Sequence, residues 1–251
     1  MSRRFVHLVE RNFLVWRKLL VPSLIANLAD PLIYLLGLGF GLGALVGNVD
    51  GRPYGTFLAG GMLSYSTLNS ASAEALYSAF SRLKVQRTWE GILHAPMTID
   101  DVVVGEWLWA AAKATLSGAA ILVVMYGFGF ARGAAPLVVV PVLFAVGLCF
   151  SGIALIMTTL ARGYDFFTYY FTLVLTPMGF LSGVFFPLHQ LPALVQRLAW
   201  LLPLAHAASL ARGLTLGDPM PWPWVSLAVL LAYGVGGVAI AAWIARRRLT
   251  K

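Results

Sequence analysis

Hydrophobic residues in this chain come mostly in runs of about twenty, separated by short polar turns, which is the length that carries a helix through a bilayer. The first stretch differs. Phe5, Leu8, Val9, Phe13, Trp16 and Leu20 recur at helical spacing while Arg4, Arg11 and Lys18 fall on another face, which predicts an amphipathic helix lying on anionic lipid. Asp30-Pro31 then offers an N-cap followed by proline at the first helical position, placing the start of a first span there, to about Gly47; one bent helix from about Leu19 is the alternative. Gly37, Gly39, Gly41 and Gly43 in this span form two interleaved small-xxx-small pairs. A second span covers about Gly55 to Phe80, with Ser64, Thr67, Ser70, Glu74 and Ser78 along one side. The hydrophilic loop Arg82 to Asp101 follows, then a third span from Val102 or Glu106 to Phe130, and a fourth from Pro136 to Leu160. The last span, Trp222 to Ala245, is stopped by Arg246-Arg247-Arg248.

Between the fourth and last spans the pattern is broken by proline. An aromatic-rich fifth span (Phe166, Phe167, Tyr169, Tyr170, Phe171) passes Pro177 and reaches Ser182-Gly183-Val184-Phe185-Phe186-Pro187. After Pro192 comes the apolar piece Ala193 to Leu202, ended by Pro203. Ten helical residues rise about 15 Å, half of a hydrocarbon core of about 30 Å, so this piece cannot cross alone, and a re-entrant hairpin is the economical reading. The predicted fold is all-α and polytopic. It is one integral-membrane domain: an interfacial segment over 1–29, spans one to five over 30–186, an outer re-entrant hairpin over 187–217 and span six over 222–245.

Composition agrees with a membrane protein: 59% hydrophobic and 11% charged residues cannot furnish a soluble surface. The net charge of +8 sits at the ends of apolar runs rather than in a nucleic-acid-binding patch. Alternating six spans puts Arg3, Arg4, Arg11, Arg17, Lys18, Arg82, Lys84, Arg87, Arg162, Arg246, Arg247, Arg248 and Lys251 on one side, against Arg52, Arg132, Arg197 and Arg212 on the other. Both termini are therefore expected in the cytoplasm, the hairpin outside and the Arg82 to Asp101 loop inside. The single cysteine, Cys149, lies in an apolar run and excludes an internal disulfide framework, and Ser2-Arg3-Arg4-Phe5, which lacks the compact apolar core and small-residue cleavage site of a secretory signal, is expected to stay in the mature chain.

Charges within spans are the first candidates for function. Glu74 lies about two turns before the inner end of the second span and Lys113 about two turns after the inner start of the third, so antiparallel helices would hold them at one depth. They either neutralise each other and fix two helices, or line a transport route. His189 and His206 lack the carboxylate or cysteine company of a metal site and are read as packing or interfacial residues. Ser182 and Gly183, with Pro187 and Pro203, are read as helix breaks of the outer hairpin rather than parts of a hydrolase. No G-x-x-x-x-G-K-[ST] loop occurs, so the chain has no phosphate loop of its own and no catalytic residue is assigned. In the inner loop, Arg87, Thr88, Trp89, Glu90, Gly91 and His94 form a short helical stretch ended by Pro96. It is either an interfacial helix or a docking helix for a cytoplasmic partner.

The stretches Asn27 to Tyr34, Thr88-Trp89-Glu90-Gly91 through Ala95-Pro96, Gly105-Glu106-Trp107-Leu108-Trp109, and Thr176 to Pro187 with Leu202-Pro203-Leu204 resemble the permease subunits of ABC exporters of the second, polysaccharide- and lipid-exporting class, and within it the nodulation permeases of the NodJ group. The resemblance covers essentially the whole chain. It implies six spans per subunit, a second copy of the same chain, and two NodI-like cytoplasmic ATPase subunits that carry ATP and Mg. It also implies a place in the bacterial inner membrane and an amphiphilic lipid-linked or acylated oligosaccharide as cargo. By the same analogy the N-terminal helix and the Thr88 to Pro96 loop become gate and coupling helices. Two other classes stand against it: an ion-driven secondary transporter, which usually shows paired broken helices where only one is found here, and an intramembrane enzyme, which needs a compact set of reactive groups.

Overall fold

A computed structural model describes residues 4–249; Arg3 and Lys251, counted above among the inner charges, lie outside them. The fold is all-α apart from one two-residue ribbon. Helix α1 (Phe5–Trp16) runs through a 3₁₀ turn at Arg17–Leu19 into α2 (Leu20–Tyr34), which continues through a π-helical stretch, Leu35–Leu42, into the short α3 (Gly43–Val46). There is no new start at Asp30. The backbone follows the bent-helix alternative, with the change of winding at Arg17–Leu19; the side chains of Asp30 and Pro31 lie outside what is described.

Strands β1 (Asn48–Val49) and β2 (Arg52–Pro53) pair antiparallel, with Asp50 and Gly51 in the left-handed region at the turn. They lead into α4 (Tyr54–Ala73), which is buried along most of its length. After α4 the chain stays helical through two π turns, Glu74–Ser78 and Ser81–Val85, so Arg82 is a helical residue and the expected loop from Arg82 is shorter than predicted. Helix α5 (Thr88–Leu93) follows, entered through Arg87 in the left-handed conformation. Then comes α6 (Ile99–Gly127), which opens on a capping box: Thr98 accepts from the Asp101 amide while Asp101 accepts from the Thr98 amide.

Helix α7 (Val139–Leu160) is preceded by a 3₁₀ turn at Ala135–Val138. The broken segment is α8 (Asp165–Tyr170), a π turn at Phe171–Leu175, and α9 (Thr176–Leu181), then a loop with a 3₁₀ turn at Leu188–Gln190. The hairpin consists of α10 (Ala193–Ala199) and α11 (Pro203–Leu216), and α12 (Pro223–Leu249) closes the chain. Among the described residues three helices, Ile99–Gly127, Ala135–Leu160 and Pro223–Arg248, are long and apolar enough to cross a membrane, and Leu32–Val46 is a shorter apolar helix.

Glycines set the closest helix contacts. A Cβ on Gly147 would lie 2.8 Å from the Ala111 carbonyl oxygen on α6, and one on Gly152 would lie 2.5 Å from the Gly234 carbonyl oxygen on α12. Large side chains are excluded there, so α7 is drawn against both neighbours, the packing mode that membrane helices use in place of a hydrophobic drive. In the hairpin, Tyr233 Oη donates to the Leu201 carbonyl at 3.1 Å. The α10–α11 turn thus lies beside a residue ten positions into α12, about 15 Å along that helix.

Candidate functional site

Two carboxylates and two cations from different elements meet in the half of the bundle nearest α5. Glu74, the first residue of the π turn after α4, accepts from Lys113 Nζ at 2.7 Å, from Arg82 Nη2 at 2.9 Å and from Trp109 Nε1 at 3.0 Å. Glu106 on α6 accepts from Arg82 Nη2 at 2.6 Å and Nε at 2.8 Å, and from Trp89 Nε1 and Asn12 Nδ2, both at 3.3 Å. Glu106 is 1% exposed and Glu74 4%. Two buried charges this well surrounded by donors are tolerated, where either alone would be costly.

The local backbone makes the meeting possible. Eight residues separate Glu74 from Arg82, which in a regular α-helix leaves them well off a common face. A π turn inserts one residue, so the offset behaves like seven, about two turns, and Arg82 returns to the side of Glu74. On α6, Glu106, Trp109 and Lys113 are spaced at three and four residues and share one face. On α1 the buried stripe is Leu8, Asn12 and Trp16, so the centre of the face pressed on the bundle is polar. Phe13, expected on the apolar face, is 46% exposed.

Between these elements lies a cavity of about 390 Å³, walled by Arg11, Asn12, Trp16, Glu74, Arg82 and Lys113 among others. Burial, and after it the positive charge of Arg82, lower the pKa of Arg11 below the usual arginine value. The cluster joins four parts of the chain: α1, the end of the second predicted span, α5 and α6.

Of the inner-loop residues named from sequence, Trp89 is buried and donates to Glu106, whereas Arg87, Glu90, Gly91 and His94 are exposed and Thr88 is half-buried. Helix α5 therefore presents one anchor inward and a mixed-charge face outward. Glu74 and Lys113 are brought together. Sequence reasoning left out Arg82, Glu106, Asn12 and the indole N–H groups of Trp89 and Trp109; the usable signal was that a buried tryptophan N–H must find an acceptor.

The hairpin residues gather at the other end. Ser182 is buried, Gly183 takes φ of +75°, Pro187 is buried, and Pro203 is the first residue of α11. His189 is exposed, 3.7 Å from Asp50. His206 is buried, and since a carbonyl only accepts, its Nε2 donates to the Trp200 carbonyl at 2.9 Å while Nδ1 faces Ser226 Oγ at 2.9 Å. The two histidines do not meet each other; each has its own partner.

Residues 3–216 match the family model described as ABC-2 type transporter. The chain is 45% identical over 240 residues to Nodulation protein J of Rhizobium meliloti (strain 1021), covering 96% of this chain and 92% of the relative. It is 45% identical over 242 residues to Nodulation protein J of Rhizobium leguminosarum bv. viciae, covering 96% and 93%. It is 27% identical over 207 residues to the Inner membrane transport permease YadH of Escherichia coli (strain K12), covering 80% and 77%.

Proposed function

As the chain belongs to the ABC-2 type transporter permease family, we propose that it is the membrane subunit of an ATP-driven exporter for an amphiphilic lipid-linked or acylated oligosaccharide. The similarity to proteins named Nodulation protein J supports that cargo class and, with it, a companion ATPase of the NodI type. In this reading the subunit pairs with a second copy in the bacterial inner membrane and crosses it six times. Two ATPases sit on the cytoplasmic side with ATP and Mg, both termini face them, and the α10–α11 hairpin enters and leaves from the outer face. Gly37 and Gly41 have no atom within 4 Å of where a side chain would start, which suits close approach by the second copy.

The observation that carries the mechanism is Trp89 Nε1 donating to Glu106. The ATPase binds the exposed face of α5, formed by Arg87, Glu90 and His94. Nucleotide binding changes its hold on that face, and a differential interaction of this kind is required for any shift between inward- and outward-facing states. Movement of α5 then reaches Glu106 through the indole, Arg82 through the bidentate pair, and Glu74 with Lys113 beyond it. The chain supplies no hydrolytic step in this scheme; it converts a push on α5 into a rearrangement of α1, α4 and α6.

Two substitutions separate docking from transmission. Glu90→Arg is expected to reduce co-purification of the ATPase severalfold with the permease still folded. Trp89→Phe, which keeps the ring and loses the N–H, is expected to leave co-purification intact while lowering export. Unchanged co-purification in the first and unchanged export in the second would remove the coupling role. Identifying the ATPase and lipid that accompany the chain from native membranes tests the cargo class directly.

A further inference from the structure

A second cavity, of about 490 Å³, opens at the end of the bundle that carries the β1–β2 ribbon, between that ribbon, the Ser182–His189 segment and α11. Arg212 lies on its wall, 9% exposed, and among the described residues no carboxylate comes within ion-pair distance of it. Three of its five N–H groups are committed: Nε donates to the Phe57 carbonyl at 3.2 Å, and Nη2 to the carbonyls of Gly183 at 2.5 Å and Val184 at 2.9 Å. Nη1 has no acceptor among the described residues. Ser182 lines the same cavity, is 1% exposed, and its Oγ has no hydrogen-bond partner.

A buried guanidinium without a counter-ion and a buried hydroxyl without a partner are both unfavourable by themselves. Both residues line one cavity, so they share a remedy: a ligand that brings negative charge and several acceptor oxygens. The nearby carboxylates do not fill that role. Asp218 is held by Arg52 at 2.5 Å, and Asp50 stands 3.7 Å from His189. The arginine is also placed by its neighbours. Its guanidinium lies 3.8 Å from the centre of the Phe57 ring, and Cβ atoms at Gly60 and Gly61 would come within 2.9 Å of its Cγ and 2.8 Å of its Nη2, so the glycine pair on α4 is what leaves room for it. Trp200 adds an apolar wall.

We propose that this cavity binds a phosphate-bearing head group, with Arg212 Nη1 and Ser182 Oγ donating to its oxygens and Trp200 covering the glycerol or sugar carbons behind it. Approach from the outer leaflet rests on the orientation proposed above; the recognition chemistry does not. The phosphate arrives either on a lipid or as a soluble ester.

The test uses the full chain in detergent, without an ATPase, so its failure leaves the exporter reading standing. Native mass spectrometry would follow retention of dioleoylphosphatidylglycerol, with uncharged dioleoylglycerol as control and glycerol 1-phosphate as soluble competitor. The expected result is retention of the phospholipid and not of the control, weakened about tenfold or more by Ser182→Ala, the loss of one hydrogen bond to a charged group, and further by Arg212→Lys. Competition by glycerol 1-phosphate assigns the site to soluble esters as well, and lack of competition assigns it to lipid. Equal retention by the wild type and Ser182→Ala, or of the phospholipid and the control, overturns the proposal. Ser182→Ala removes one atom and decides the matter alone if Arg212→Lys does not fold.

Discussion

Glu106 shows what a single position does in this molecule. It accepts from three side chains on three separate segments, so deleting its carboxylate strands Arg82 and unties Asn12 and Trp89 together. Breaking a buried ion pair by removing one partner costs about 3–5 kcal/mol, and for a chain of this size that is roughly 6–20 °C of melting temperature. Glu106→Ala should show a fall of that order by thermal unfolding in detergent, with Glu106→Gln intermediate because it keeps the acceptor oxygen. Lys113→Met should shift less, since Lys113 is on the cavity edge and Glu74 keeps Arg82 and Trp109. An Ala variant as stable as the Lys113 variant would remove Glu106 from the centre of the network. Glu74 and Lys113 were legible in the sequence because each interrupts an apolar run. Arg82 and Glu106 were not: they fall where spans were expected to end, and charge at a span end is ordinary.

At the scale of elements, helical spacing was readable but the partner of each face was not. The four glycines from Gly37 to Gly43 were seen as two interleaved pairs, yet they play different parts. A Cβ on Gly39 would meet the Gly55 backbone at 3.4 Å and one on Gly43 would meet Tyr54 at 3.7 Å, while Gly37 and Gly41 have nothing within 4 Å. The π turn that brings Arg82 under Glu74 has no sequence signature, because the inserted residue is identified only by the partners it aligns. Nor did spacing single out Gly61, where a Cβ would stand 2.7 Å from the Val184 carbonyl oxygen. Backbone cannot yield as a flexible side chain does, so Gly61→Ala should cost about 1–3 kcal/mol in stability, as overpacking does, and loosen Arg212 from Gly183 and Val184. Gly37→Ala, made in parallel, should leave the isolated chain as stable as the wild type. Equal melting temperatures for the two variants would show that the contact between α4 and the Gly183–Val184 backbone is not close-packed.

For the whole molecule, the runs of apolar residues gave the all-α membrane class, while the charge asymmetry only predicts an orientation. Neither fixes how the broken segment travels. Leu201 beside Tyr233 places the α10–α11 turn about 15 Å along α12; in the re-entrant reading proposed above, α10 descends, α11 returns, and the residues flanking the pair belong at one surface. The chain suits a direct check, because Cys149 is fully buried and a thiol probe added from outside should not reach it. Cysteines placed at Gln190 and Pro221, both exposed, should react with a membrane-impermeant maleimide in intact cells. One at Glu90 should react only in inverted vesicles, and one at Leu201 should stay slow on both sides. Labelling of Gln190 and Pro221 from opposite sides would mean that the α10–α11 pair crosses the membrane. The exit would then have to be sought away from this hairpin, and Arg212 would lie on a membrane-crossing element instead of a re-entrant one.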